Sequence, residues 1–346
     1  MIKLFSLFTR LLMLLMFALC CLPDLTYAAA GGVRPVSLGG VFVAIADDVN
    51  AATWNPAGLG WQQDKELSYS GIFSKRGEYI PGDFISDDYL LYAQPLRVNY
   101  RGDFDELGGF GLYFLNSGYE DNITRAKQTI RQPGIAYGRA FSSNEAMAWG
   151  VSANLYMYDS EIPGAVSSDN ALGVNAGYLW YLNSSITLGL LIENINEPAL
   201  SLYGVTSRIV RIWRPAIACY FSDSTVFSLE VYDLTGNTKD SGSDYSRNIR
   251  LGFEHYLTEE VSLRMGAHNI NSEVDTSKYV SLGIGFMRSD FFNLKQINYY
   301  LDYAFIYWTD AINSMDDYTH QVGLSMKISQ LIQRGWTNFT PYTNSP

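Results

Sequence analysis

Three cysteines, three histidines and a charged fraction of only 17% leave little in these 346 residues from which to build a disulfide framework, a metal centre or an ordinary water-facing surface. Two of the cysteines, Cys20 and Cys21, fall in a leader-like start, so only Cys219 remains downstream and no intramolecular disulfide can form. Past residue 30 no apolar run reaches the ~20 residues that a membrane-crossing helix needs. The formal charge is −11, and without Lys3, Arg10 and Asp24 of the leader it becomes about −12. Nucleic acid is thereby excluded as a partner, because binding phosphates takes clustered Lys and Arg. His255, His268 and His320 have no Cys or carboxylate at metal-ligand spacing, and no nucleophile and base can be paired. No catalytic residue, metal ligand or cofactor is therefore expected. Gly283-Ile284-Gly285 lies inside an alternating segment rather than opening a helix, so it is no phosphate cradle.

What is present is aromatic and small: 25 Tyr, 18 Phe, 7 Trp and 30 Gly, a mixture that suits a β-rich protein. Residues 1–30 combine Lys3 and Arg10 with an apolar run from Leu11 to Leu22 and end on Ala28, Ala29 and Ala30, the pattern of a cleaved signal peptide. Downstream of residue 60 the chain alternates with a period of two. Met147, Trp149, Val151, Ala153 and Leu155 stand against Ala148, Gly150, Ser152 and Asn154, and Val261, Leu263 and Met265 against Ser262, Arg264 and Gly266. About fourteen such segments of roughly eight to eleven residues can be counted, enough or nearly enough for tilted transmembrane strands of ~9–11 residues.

Long links (75–88, 117–131, 158–170, 194–213, 234–247, 269–278, 307–319) mostly alternate with tight ones, although 97–108 and 287–296 are longer than that rule wants. A soluble β-sandwich would also alternate, but its water-facing positions should be rich in Lys, Glu and Thr, whereas the polar register here is Gly, Ser, Asn and Tyr. Aromatic pairs at segment ends (Tyr156 and Tyr158, Trp180 and Tyr181, Tyr299 and Tyr300, Tyr307 and Trp308) suggest interface girdles. The expected fold is an all-β outer-membrane barrel of about 14 antiparallel strands over 61–328, with a plug segment, 31–60, inside the lumen and a periplasmic tail, 329–346. Both termini are then periplasmic, and outer-membrane lipid is the surrounding partner. Arg or Lys on the lipid face costs ~2–4 kcal/mol near the midplane, so in-strand charges should face inward. Glu230, Arg250, Glu254, Arg264, Asp302 and Lys327 all fall in the small or polar register.

The plug stretch reads GGVRPVSLGGVFVAIADDVNAATWNPAGLG. Two roles are open for Asp47 and Asp48: capping a helical turn over 50–53, or docking onto inward Arg250 or Arg264. Asn55-Pro56 should stop that turn, and Gly58 should let the chain reverse into the first strand. The order Arg34-Pro35-Val36-Ser37-Leu38-Gly39-Gly40, then Asp47-Asp48, then Trp54-Asn55-Pro56-Ala57-Gly58-Leu59, resembles the N-terminal pattern of PorV/PorQ-type proteins and the wider FadL/TodX superfamily. The resemblance implies a fourteen-stranded barrel, partly filled by this segment, in a Gram-negative outer membrane. Two functions follow: a component of type IX protein secretion or envelope assembly that meets secretion machinery or cargo, or an importer of hydrophobic compounds such as long-chain fatty acids. The compact length and polar lumen register favour the first. A departure from the pattern is the continuation past the last strand, with Leu331, Ile332, Trp336 and Tyr342.

Overall fold

The computed structural model describes residues 31–75, 84–100, 103–120, 125–141, 144–238, 247–271, 278–289, 297–308 and 317–328. The expected leader and tail lie outside the described residues. Among the described residues there are sixteen strands: β1 (Lys65–Lys75), β2 (Phe84–Tyr100), β3 (Asp103–Glu120), β4 (Lys127–Phe141), β5 (Asn144–Ile162), β6 (Ala165–Asn183), β7 (Ile186–Glu193), β8 (Ala199–Leu202), β9 (Val205–Arg208), β10 (Ile212–Ser222), β11 (Thr225–Tyr232), β12 (Asn248–Tyr256), β13 (Val261–His268), β14 (Tyr279–Ser289), β15 (Ile297–Trp308) and β16 (Asp317–Ile328). Fourteen of them form one closed antiparallel barrel, sealed where β1 pairs with β16, while β8 and β9 form a separate hairpin between β7 and β10. Closure satisfies every strand edge, the condition a sheet must meet in hydrocarbon.

Alternation sets the two faces. Leu67, Leu112, Ile135, Leu172, Met265, Leu282 and Leu324 are exposed on the outside, while Ser68, Ser70, Ser152, Asn154, Ser262 and Ser281 are buried inside. Strand lengths are less even than the sequence suggests. β2–β6 run 15 to 19 residues, whereas β7, β11 and β13 have 8. Most of the expected link 158–170 is therefore strand, since β5 ends at Ile162 and β6 begins at Ala165. Ser167, Ser168, Asp169 and Asn170 are polar on both faces, so hydrophobic alternation cannot reveal them as strand.

The girdle assignment is corrected in part. Tyr156 and Tyr158 face inward, 8% and 1% exposed, and pack with Ile130, Ala171, Leu200, Leu202 and Ile209 beneath the β8–β9 hairpin. Tyr156 and Tyr158 are two apart and so share one face. Consecutive residues, by contrast, point to opposite faces, so Trp180–Tyr181 and Tyr307–Trp308 cannot both lie in a girdle. Tyr181 accordingly packs on Trp61 of the N-terminal segment, ring centroids 4.5 Å apart.

Inside the barrel the N-terminal segment forms α1 (Val33–Ser37), α2 (Ala51–Trp54) and a 3₁₀ turn, Pro56–Trp61, before entering β1 at Lys65. Leu38, Phe42, Val43, Ala44, Ala57 and Leu59 of this segment are completely buried and form the main apolar core with Leu91, Ala148 and Leu179 of the wall.

Candidate functional site

The end of the barrel where β1 begins and β16 finishes, called here the turn end, is where the N-terminal segment joins the wall. Four local devices shape that segment. Gly39 and Gly40 have φ of 70° and 75°, a left-handed region that costs a residue with a Cβ about 1–2 kcal/mol. They reverse the chain after α1, and their backbone is gripped from the wall: Gly39 N–H donates to Ser281 Oγ at 3.2 Å, and His268 Nδ1 donates to the Gly39 carbonyl at 2.9 Å. Since a carbonyl only accepts, this contact fixes the proton on Nδ1 of His268.

Asn55 is the second device. Its Oδ1 accepts from Ala57 N–H, capping the 3₁₀ turn, and its Nδ2 donates to the Val43 carbonyl at 2.7 Å and to the Tyr178 carbonyl of β6 at 3.2 Å. Pro56 follows at the first position of the turn, where a missing N–H costs nothing. Gly58 is not at a left-handed φ; a Cβ there would overlap the Ala46 carbonyl, so close packing and not chain reversal requires glycine. The third device lies in the wall, where a Cβ on Gly138 or Gly150 would overlap the Pro56 backbone.

Charge is the fourth. Arg34 of α1 reaches Asp47 Oδ1 at 2.5 Å, Asp48 Oδ2 at 2.9 Å and Glu254 Oε2 of β12 at 2.8 Å. The docking expected for Asp47 and Asp48 on Arg250 or Arg264 does not occur; their cation is Arg34, thirteen or fourteen residues earlier in the same segment. Capping is likewise corrected: the residue before α2 is Asn50, without a side-chain cap, and Asp48 Oδ1 instead receives Asn50 N–H and Nδ2, both at 2.8 Å. Burial works against the Arg34 charge, but Asp47 and Glu254 outweigh it and hold the guanidinium above its ordinary range.

The inward charges sort into two clusters. At the turn end, Arg264 bonds Glu254 at 2.7 Å and Asp302 at 2.5 Å, joining the Arg34 group. Nearer the opposite end, Arg214 bonds Glu193 and Glu230 at 2.6 Å each, and Arg250 lies 3.6 Å from Glu230 and 4.0 Å above the Tyr232 ring. Arg214 also lies 5.0 Å from the Trp54 ring of α2, so both clusters touch the N-terminal segment. Lys327 is 4.0 Å from Asp64 and faces Glu66 across the β1–β16 ladder. Glu66, Glu193 and Arg214 escaped the sequence reading, although each shares the small-residue register of its strand. Beside the turn-end cluster lies a cavity of about 240 Å³ lined by Arg34, Asp47, Glu66, Tyr300, Asp302 and Lys327, among others.

No family model matches the sequence, and no curated protein matches it. Solved structures resemble it in fold. The CymD monoaromatic hydrocarbon channel aligns with a TM-score of 0.60 and 11% identity over 88% of this chain and 98% of its own. A FadL homologue from Pseudomonas aeruginosa gives 0.55 and 12% over 86% and 98%, and the toluene transporter TbuX of Ralstonia pickettii 0.56 and 11% over 88% and 100%. At these identities the likeness is one of architecture.

Proposed function

We propose that this protein is a non-enzymatic outer-membrane channel for small hydrophobic molecules, with its turn end and both termini in the periplasm. In this reading residues 31–64 are the plug that governs passage, with Arg34, Gly39, Gly40, Asp47 and Asp48 forming the latched part and Asn55-Pro56-Ala57-Gly58 the anchor. The observation that carries the reading is the closed fourteen-strand barrel with a segment folded inside it, whose architectural neighbours, across nearly their whole length, are described as a monoaromatic hydrocarbon channel and a toluene transporter. A polar lumen register argues against a greasy route, but the lumen is not uniformly polar. Tyr156, Tyr158, Leu200, Leu202 and Ile209 form an apolar cluster at the end away from the termini. In liposomes, the purified protein should take up labelled toluene or a long-chain fatty acid faster than protein-free vesicles do; equal rates would remove this reading.

A second reading rests on how tightly the segment is packed. Phe42, Val43 and Ala44 have no exposed surface, which suits a barrel that stays sealed and serves protein secretion or envelope assembly in the PorV/PorQ manner. Affinity recovery from native envelopes decides it: secretion components or cargo domains bound to a barrel that transports nothing would favour this alternative.

A further inference from the structure

The β8–β9 hairpin belongs to neither the wall nor the N-terminal segment. It is a sheet of its own with four paired positions, from Ala199 opposite Arg208 to Leu202 opposite Val205. Two strands of that length are marginal by themselves, so the hairpin depends on what it lies upon. One face, with Ala199 and Ser201, is exposed. The other presents Leu200 and Leu202, 1% and 7% exposed, to Tyr156 and Tyr158 on the lumen side of β5. Both tyrosine hydroxyls are already engaged, Tyr156 donating to Asn194 Oδ1 at 2.9 Å and Tyr158 to Gln128 Oε1 at 3.1 Å. What the wall offers the two leucines is therefore ring surface, with no polar group left to satisfy.

The chain is fastened firmly before the hairpin and lightly along it. Ile195 N–H donates to the Val174 carbonyl at 2.8 Å, Asn194 N–H to Asn175 Oδ1 at 2.8 Å and Asn196 Nδ2 to the Leu172 carbonyl at 2.6 Å, so residues 194–196 are an anchored base on β6. Glu197 then turns the chain at φ 46°, a left-handed value uncommon for a residue with a Cβ. At the tip Tyr203 and Gly204, at φ 51° and 80°, make a tight turn that lets the hairpin move as one piece. Between Ala199 and Arg208 no main-chain rung joins hairpin and barrel among the described residues. The polar ties run instead from Ser201 N–H to Asp169 Oδ2 at 2.6 Å, from Tyr203 N–H to Ser167 Oγ at 2.9 Å and from Tyr203 OH to the Ser160 carbonyl at 2.8 Å. Water can take over such bonds at an open barrel end. Apolar contact is non-directional, so a hydrophobic molecule can take over the place of the leucines. We propose that the β8–β9 hairpin is a displaceable lid: Leu200 and Leu202 cover the rings of Tyr156 and Tyr158, and a hydrophobic ligand entering at that end lifts the hairpin about its base at 194–197 by replacing them. The inference rests on the reading of the barrel as a channel for such molecules. A ligand that fits only beneath the lifted hairpin has the differential affinity that a population shift requires.

Two measurements on the full chain in liposomes test this. In the first, a water-soluble maleimide labels Leu200→Cys, with the unaltered protein and its Cys219 as background. A buried thiol reacts through the lifted state, so its rate follows the lifted fraction. Toluene should raise that rate about tenfold, as a shift from roughly 1% to 10% lifted would, and inositol, of similar size but polar, should not. In the second, a short reducible linker joins Ser167→Cys to Tyr203→Cys, positions already in contact through Ser167 Oγ and Tyr203 N–H. Uptake of labelled toluene should fall to the rate of protein-free vesicles and return on reduction. Labelling that toluene leaves unchanged, or that inositol raises equally, overturns the lid, as does an equal rise at Leu179→Cys, buried against the N-terminal segment. Uptake by the linked barrel as fast as after reduction removes the lid and leaves the channel. Absence of uptake together with toluene-accelerated labelling removes the channel and leaves a ligand-lifted lid. Heat-modifiable gel migration verifies folding, and Leu202→Cys replaces Leu200→Cys if that variant fails to form the barrel.

Discussion

Opposite sides of one lumen hold the same segment by opposite chemistry. Along β3–β6 the wall withdraws: Gly138 and Gly150 leave no side chain, and the Pro56 backbone lies directly on the strands. Along β10–β15 the wall advances with arginines and carboxylates that clasp Arg34 and approach Trp54. The neutral side is defined by volume and has no charge to desolvate. The charged side is defined by partner count, and its ions are tolerable in a low-dielectric interior only while each keeps its counter-charge. A seat built this way should fail differently on its two sides.

The largest effect is expected on the charged side. Arg34→Ala removes one of the two arginines that hold Glu254, which has no exposed surface and keeps Arg264, and removes the cation that pairs with Asp47 and Asp48. Orphaning a buried partner outright costs ~3–5 kcal/mol; because Arg264 still pairs with Glu254, the loss should fall below that range, read as a lowered urea midpoint. Asp48→Asn added to Arg34→Ala should recover part of the loss, because it removes a charge left without its cation and keeps the oxygen that accepts Asn50 N–H. If the double variant is as unstable as Arg34→Ala, charge balance is not what holds this side. Next in size is Gly150→Val on the neutral side. Overpacking costs about 1–3 kcal/mol, and no rotamer relieves a Cβ that overlaps backbone; Val151→Leu, one residue away on the outer face, should be nearly silent. Equal urea midpoints for Gly150→Val and Val151→Leu would mean that the wall does not press on Pro56.

Much of this seat was legible from the sequence, and its limits have physical causes. Glu254 and Arg264 were readable as inward because Glu254 follows three apolar alternations, Ile249, Leu251 and Phe253, and Arg264 lies between Leu263 and Met265. Glu66 is the second residue of β1, Glu193 the last of β7 and Arg214 the third of β10, positions where alternation has too few repeats to fix a face. The pairing of Arg34 with Asp47 and Asp48 left no periodic trace at all, since it joins a one-turn helix, α1, to an irregular stretch across the turn at Gly39-Gly40. Strand number followed from alternation, and a barrel rather than a sandwich from the link pattern and the small polar register, whereas strand length did not follow, because alternation of apolar residues stops where the lipid would stop.

A smaller effect should come from Asn55, a polar tether within the neutral side. Asn55→Ala gives up the cap on Ala57 and the contacts to the Val43 and Tyr178 carbonyls. Leaving buried groups unsatisfied costs about 1–3 kcal/mol, less than orphaning an ion but expressed at the same place. Proteolysis within residues 31–64 should therefore become faster while the barrel still resists heat in gel migration. Unchanged protection of that segment would show that glycine contacts alone secure it.

The smallest expected effect tests where the tall half of the barrel meets water. Arg131 of β4 pairs with Asp159 of β5 at 3.4 Å, with both side chains nearly half exposed, 45% and 46%. The pair lies on the stretch of β4 and β5 that runs beyond the short strands, alongside the polar start of β6. If that stretch stands in water, the ion pair is screened, and Arg131→Ala should cost no more than ~0–1 kcal/mol and lose even that in high salt. If the apolar layer instead reached this height, an outward arginine would itself cost up to ~2–4 kcal/mol, and Arg131→Ala would stabilise the barrel independently of salt. The sign of one change in urea midpoint, measured at low and high salt, thus separates a long strand that projects from the bilayer from one that tilts through it, and with it whether the Tyr156 and Tyr158 cluster behind these strands stands above the apolar layer or within it.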